Sequence, residues 1–153
     1  MTDYNALNST LKSLIYNVPH KISNLANASS LLFNTLNDLN WAGFYLLEGN
    51  TLILGPFQGK TACIEIPMGK GVCGTSVQKR ETVLVKNVHE FPGHIACDSA
   101  SNSEIVIPIF NGDSIYGVLD IDSPVIARFN EEDKDGLEEF VRILEKELFK
   151  KEN

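Results

Sequence analysis

The sequence predicts an α+β domain: one mainly antiparallel central sheet with N- and C-terminal helices packed on a single face. Three observations predict it. Apolar residues recur at helical spacing up to Leu36, the period changes to two from Asn40, and helical spacing returns after Asn130. A chain of 153 residues has room for a single domain over 1–153 with a sizeable core.

Asp3 is placed to cap a first helix, whose Leu7, Leu11 and Leu14 form a stripe that stops at Val18-Pro19. In a second helix Ile22, Leu25, Ala26, Ser29, Leu32, Phe33 and Leu36 follow the i, i+3, i+4 pattern, leaving Lys21, Asn24 and Asn27 on the wetter side. Trp41 to Leu47 and Thr51 to Gln58 read as a hairpin turning at Glu48-Gly49-Asn50. Ala62 to Ile66 reads as a strand, Pro67 to Gly71 as a turn, Cys73 as lying at a helix start, and Thr82 to Val85 as a short strand before an irregular loop. A second hairpin joins Ser103 to Phe110 with Ser114 to Asp122 and ends at Ser123-Pro124. Asn130 caps a last helix with Glu131, Glu132 and Asp133 in its first turn, where the helix dipole favours anions. Leu137, Phe140, Val141, Leu144 and Leu148 form its apolar stripe.

Side chains alternate along a strand, so the strand faces follow from the sequence. One face carries Ala42, Phe44, Leu46, Ala62, Ile64, Ile66, Ile105, Ile107, Ile109, Ile115, Leu119 and Ile121, a core for the helices. The other carries Trp41, Gly43, Tyr45, Cys63, Glu65, Glu104, Val106, Tyr116, Asp120 and Asp122. An aromatic, acidic and thiol-bearing face opposite an aliphatic one predicts a pocket.

Composition excludes several function classes. The net charge is -7 with a pI near 4.9, and no Lys/Arg cluster interleaves with aromatics, so nucleic acid and anionic membranes are not expected partners. The polar N-terminus lacks a signal-peptide pattern and no apolar run reaches the ~18 residues of a membrane span, which predicts a cytoplasmic protein. Three cysteines, an odd number, do not form a secreted disulfide framework; in a reducing compartment they are buried, metal-bound or reactive.

All three cysteines and two histidines, His89 and His94, fall between Ala62 and Glu104. Cys73 follows Gly69-Lys70-Gly71-Val72, where the free N–H groups of a helix start stabilise a thiolate; its ordinary reading is a small buried hydrophobe. Cys63 faces the pocket by alternation, and Cys97 lies in a polar loop where burial explains it less well. Cys63, Cys73, Cys97 and His94 are numerous enough for zinc, but no C-x2-C pair exists and only His94 and Cys97 are close in sequence. Gly69-Lys70-Gly71 lacks the frame of a phosphate loop and reads as a tight turn. Asp120 and Asp122 point the same way near Glu104, so they repel unless a proton or a cation is shared. That describes a metal site, an ammonium site or a general acid of raised pKa; singly, each is an ordinary polar residue of an exposed face. Trp41 and Tyr45 taken alone are equally core residues.

These residues fall in runs that resemble one family. The runs are Asn40-Trp41-Ala42-Gly43-Phe44-Tyr45, Leu54 to Lys60, Ala62-Cys63, Gly69 to Gly74, Ile95-Ala96-Cys97-Asp98-Ser99, Ser103 to Pro108 and Leu119-Asp120-Ile121-Asp122-Ser123. The sequence is similar over nearly its whole length to the free methionine-(R)-sulfoxide reductases, which are stand-alone GAF domains. The resemblance implies Cys97 as nucleophile, Cys63 as resolving thiol and Cys73 as a third redox-active position that competes for the attacking role. It implies Trp41, Tyr45, Glu104, Asp120 and Asp122 as the lining of a pocket for free methionine sulfoxide. It further implies thioredoxin with NADPH as external reductant and no bound cofactor. The amphipathic N-terminal helices offer a homodimer contact. Two other classes compete: a GAF module that senses a ligand without turnover, which normally needs an output domain, and a thiol redox switch that forms disulfides but reduces no sulfoxide.

Overall fold

The computed structural model describes residues 1–95 and 97–150; Ala96, within the run around Cys97, and residues 151–153, at the end of the expected domain, lie outside the described residues. The elements in order are α1 (Tyr4–Ile15), α2 (Lys21–Thr35), β1 (Trp41–Glu48), β2 (Thr51–Gly59), β3 (Glu65–Pro67), α3 (Gly71–Lys79), β4 (Val83–Val85), a 3-10 turn (Val88–Glu90), β5 (Ser103–Asn111), β6 (Ser114–Ser123) and α4 (Glu131–Leu148). The strands form one sheet in the order β3-β2-β1-β6-β5-β4, with every neighbouring pair antiparallel.

The caps fall where the sequence put them. Asp3 Oδ1 accepts from the Ala6 N–H at 3.0 Å at the start of α1. Asn130 and Asp133 exchange side-chain and backbone hydrogen bonds, both 2.9 Å, in a capping box at the start of α4. The two helix starts are tied together, since Tyr4 donates to Asp133 Oδ1 at 2.6 Å. Its ring lies against Gly136, where a Cβ has no room.

The sheet separates two apolar clusters. On one face Phe44, Ile105, Ile107, Ile109, Leu119 and Ile121 pack against Leu11, Leu25, Leu32, Phe140 and Leu144 of the terminal helices. On the other, α3 covers Trp41, Tyr45, Val106 and Val118 with Val72, Cys73 and Val77. The second cluster places the site.

The structure corrects several face assignments. The strand expected from Ala62 starts only at Glu65, Ile64 is 69% exposed, and Ala62 and Ile66 pack in the cluster beneath α3. Ile115 also joins that cluster while Tyr116 turns to the helices and meets Phe149 edge-on at 5.0 Å. The cause is an irregularity in the hairpin: Ile109 pairs with Gly117 but Phe110 pairs with Ile115, so alternation inverts across Tyr116. In α2 the buried face is Asn24, Leu25, Ala28, Ser29 and Leu32, with Ile22 61% exposed. Asn24, expected on the wetter side, is buried because its amide donates to Val18 O at 2.9 Å, closing the turn between the first two helices.

Candidate active site

Three strands bring the acids and aromatics together. On β1, Trp41 lies opposite Asp122 and Gly43 opposite Asp120; on β5, Glu104 lies opposite Asp122 and Val106 opposite Asp120. Side chains directly opposite on antiparallel strands share a face, so the three carboxyl groups converge on the face beneath α3. Trp41 stacks on Tyr45 at 5.8 Å and on Phe57 at 5.2 Å, and its indole N–H donates to Lys60 O at 3.2 Å, which fixes the ring as one wall. Tyr45 donates to Cys63 O at 2.8 Å and so holds the segment before β3 against the sheet.

The start of α3 and the loop around Cys97 close the site. Gly71 has φ of 63°, and Ile95 packs 3.3 Å from where its Cβ would stand, so a glycine lets the loop approach the helix. Asn40, immediately before β1, donates to Asp98 Oδ2 and Ser101 Oγ, each at 3.0 Å, and Asp98 Oδ1 accepts from the Ala100 N–H at 2.9 Å. These bonds anchor the residues on both sides of the loop's turn. Cys97 is joined to Cys63 by a disulfide with Cα atoms 5.5 Å apart.

The resulting pocket is lined by Trp41, Tyr45, Cys73, Cys97, Glu104, Asp120 and Asp122, and also by Thr61, His94, Ile95, Asp98 and Ser101. The structure thus brings seven of the eight predicted site residues into one lining. Cys63 is not in the lining, and reaches the site through its bond to Cys97.

Burial governs the charge states. Glu104 and Asp120 are 6% and 5% exposed, and Oδ1 of Asp120 and Oδ1 of Asp122 have no hydrogen-bond partner. Desolvation, followed by the charges of Asp120 and Asp122, holds the Glu104 carboxyl well above its ordinary pKa. Asp122 is raised the same way, first by burial and then by Asp120. Asp120 is raised by burial alone, against which hydrogen bonds from Glu104 and Cys73 favour its anion. The trio therefore holds at least one proton, and Glu104, which faces both aspartates, is suited to carry it. Tyr45 stays a phenol, raised by burial and then by Asp120.

Of the two readings of Cys73, the structure bears out the small buried residue and not the thiolate. Cys73 lies within the first turn of α3, yet burial, followed by the charges of Asp120 and Glu104, pushes its thiol far up. Desolvation and three nearby acids outweigh the helix dipole, so Cys73 is a neutral thiol beside Asp120. The zinc set considered from sequence is not assembled, because Cys63 and Cys97 are bonded to each other. Among the described residues the cluster with ligand atoms within 4.8 Å of one another is Cys73, Glu104 and Asp120.

Sequence reasoning gave no role to Asn40, Asp98, Ser101 or Thr61. The available signal was polar density: Asn40 directly before an apolar strand, and Asp98, Ser99, Ser101 and Asn102 packed around one cysteine.

A sheet with helices on one face and a pocket roofed by a short helix and a loop on the other is the layout of a GAF domain, and the GAF domain family model matches residues 14–148. Among curated proteins, free methionine-R-sulfoxide reductase of Escherichia coli is 54% identical over 145 residues, covering 95% of this chain and 88% of the relative. Among solved structures, the reduced form of fRMsr of Staphylococcus aureus is 56% identical with a TM-score of 0.94, covering 97% of this chain and 96% of that one. Free methionine-R-sulfoxide reductase of Neisseria meningitidis, solved in complex with its substrate, is 41% identical with a TM-score of 0.92, covering 95% and 87%. Within the GAF domains, the chain belongs to the free methionine-(R)-sulfoxide reductase family, and it is an oxidoreductase. No helix among the described residues is long and apolar enough to cross a membrane.

Proposed function

We propose that this protein reduces free L-methionine-(R)-S-oxide to L-methionine, with Cys97 as nucleophile and Cys63 as resolving thiol. The observation that carries the reading is the Cys63–Cys97 disulfide at the edge of a pocket floored by three buried carboxyl groups. Those groups suit a small zwitterion. The unpartnered oxygens of Asp120 and Asp122 are the acceptors for the α-ammonium, whose charge makes ionisation of both favourable. The α-carboxylate goes to the N–H groups at the start of α3, where Gly71 and Val72 line the pocket and no side chain caps the helix. Trp41 receives the S-methyl group. A peptide lacks both charged handles, which explains a preference for the free amino acid.

Chemistry then follows from the charge states. The Cys97 thiolate attacks sulfur while Glu104, held protonated, gives its proton to the sulfoxide oxygen. The S–O bond breaks as the oxygen bonds to the Cys97 sulfur, the bond between the two sulfurs breaks with its electron pair leaving on methionine, and Cys97 is a sulfenic acid. Cys63 attacks that sulfur and expels water, forming the disulfide, for which the 5.5 Å Cα separation is suitable. Thioredoxin, supplied by NADPH in the cytoplasm, returns both thiols by exchange. Burial and a firmly held proton make Cys73 a poor attacking thiol. We assign it to orienting Asp120.

The test is methionine release from free (R)- and (S)-sulfoxide by reduced protein, with thioredoxin or dithiothreitol as electron source. Release from the (R) epimer alone is expected, with none from an N-blocked substrate. No release from either epimer by folded, reduced protein overturns the reading and leaves a ligand-binding GAF module.

A further inference from the structure

We infer that His94 carries the proton that Cys97 must lose to Glu104, which must regain one, so that the two halves of the reductive step are linked through one imidazole. The inference rests on the proposed reaction and adds a residue to it. The thiol of Cys97 attacks only after deprotonation, and the sulfoxide oxygen leaves only with a proton, so a base and an acid are needed at opposite sides of the reacting sulfur.

The other groups of the pocket do not suit the base. Asp98 has both oxygens engaged, one by Ala100 N–H and one by Asn40. Glu104 and Cys73 hold protons, and the Tyr45 hydroxyl is committed to Cys63 O. Asp120 and Asp122 are taken by the α-ammonium in the proposed complex, which leaves His94. It lies in the loop that carries Cys97, lines the same pocket, and places Nε2 3.9 Å from Glu104 Oε1. Its side chain is 15% exposed, against 8% for Glu104, so it stands at the outer side of the acid. Burial, and secondarily His89, lower its pKa and favour the neutral ring that a carrier requires. A separation of 3.9 Å is longer than a hydrogen bond and is spanned by a small loop movement or one water; such contacts tighten when substrate binds.

The protons balance. Glu104 gives its proton to the oxygen, the neutral ring gives its Nε2 proton to the Glu104 carboxylate, and the other ring nitrogen takes the proton from Cys97. The sum moves one proton from the attacking thiol to the leaving oxygen, with Glu104 restored and His94 left neutral in its other tautomer, which proton exchange with solvent resets before the next turnover.

The experiment is single-turnover methionine release by the reduced wild type, H94Q and E104Q, with and without free imidazole. The wild-type arm is read first: if it releases no methionine, the proposed reaction falls and this inference with it. With an active wild type, H94Q is expected to release methionine about 100-fold more slowly, with substrate affinity little changed. Imidazole should restore much of the H94Q rate and none of the E104Q rate. Release by H94Q at the wild-type rate, a loss confined to KM, or a slow variant that imidazole does not rescue each overturns the role of His94 while leaving the reaction intact. Should H94Q not fold, the solvent deuterium isotope effect on wild-type release decides: a value above unity is expected, and a value of one overturns the inference.

Discussion

Glu104 and Asp122 stand opposite each other on adjacent strands, with Asp120 next on the same face, and burial raises the pKa of all three. Each therefore ionises in the unfolded chain near pH 4, its ordinary value, and only at higher pH in the fold. Between those limits the unfolded state binds fewer protons than the native one, so stability falls as pH rises. Below pH 4 both states are protonated and the effect vanishes. Cys73, Tyr45 and His94 face the same cluster; the first two stay neutral, and His94 is uncharged above its lowered pKa. E104Q and D122N are thus expected to raise the melting temperature at pH 8, flatten its decline between pH 4 and 8, and reduce turnover about 100-fold. Thermal melts across that range check it; a wild-type curve without decline would contradict the buried protonated cluster. The cysteines differ as sharply. C97S should release no methionine, C63S should release about one per protein and then stop, and C73S, which keeps a donor for Asp120, should retain most turnover; burst amplitudes of methionine distinguish the three. Alternation along β1, β5 and β6 made the acids and aromatics legible. For Cys73 the sequence left a thiolate and a small buried thiol both open, because the choice is made by desolvation from residues remote in sequence.

The loop between β4 and β5 is tied to the rest of the fold by side chains as well as by backbone bonds. Asn40 ties the entry of β1 to both Asp98 and Ser101, and Asn102 joins it further on, accepting from Val88 N–H through its backbone carbonyl at 3.0 Å and donating to Pro124 O at 2.8 Å through its amide. One of the Asn40 bonds ends on a carboxylate whose pKa is lowered, first by Ala100 N–H and then by Asn40. N40A is expected to cost about 1–3 kcal/mol in urea unfolding, and to slow disulfide formation by leaving Cys97 less well placed for Cys63. A full-rate N40A protein that loses only stability would show that the tie supports the fold and not the site. Element type was readable from period and caps, as Asp3 and Asn130 illustrate. Element face was less so: Tyr116 and Ile115 exchange sides at one irregular pair, and Asn24 is buried by a bond to the preceding turn. Neither leaves a mark in hydrophobic periodicity.

Across the whole molecule, the proposed reaction changes the covalent topology of the chain. In the oxidised state the Cys63–Cys97 bond closes a loop with a sequence separation of 34 that contains α3, β4 and the residues above the pocket. Closing such a loop removes about 4 kcal/mol of chain entropy from the unfolded state, if reduction leaves the native packing unchanged. Strands β1, β2, β5 and β6 and the terminal helices lie outside that loop, as does every buried residue of the apolar cluster between them. The reduced protein should therefore remain folded while unfolding at lower urea than the oxidised form, by a difference of about 2–4 kcal/mol. Paired urea curves with and without dithiothreitol measure it, with C63S as a control that cannot form the bond and should give one curve in both conditions. The gap also bears on recycling, because native-state stabilisation by the disulfide makes it correspondingly harder to reduce and raises the demand on the proposed thiol reductant. A gap near zero would mean that closing the bond strains the roof by as much as the entropy gains. The loop around Cys97 would then have to rearrange on reduction, and hydrogen exchange across residues 86–102 should differ between the two states.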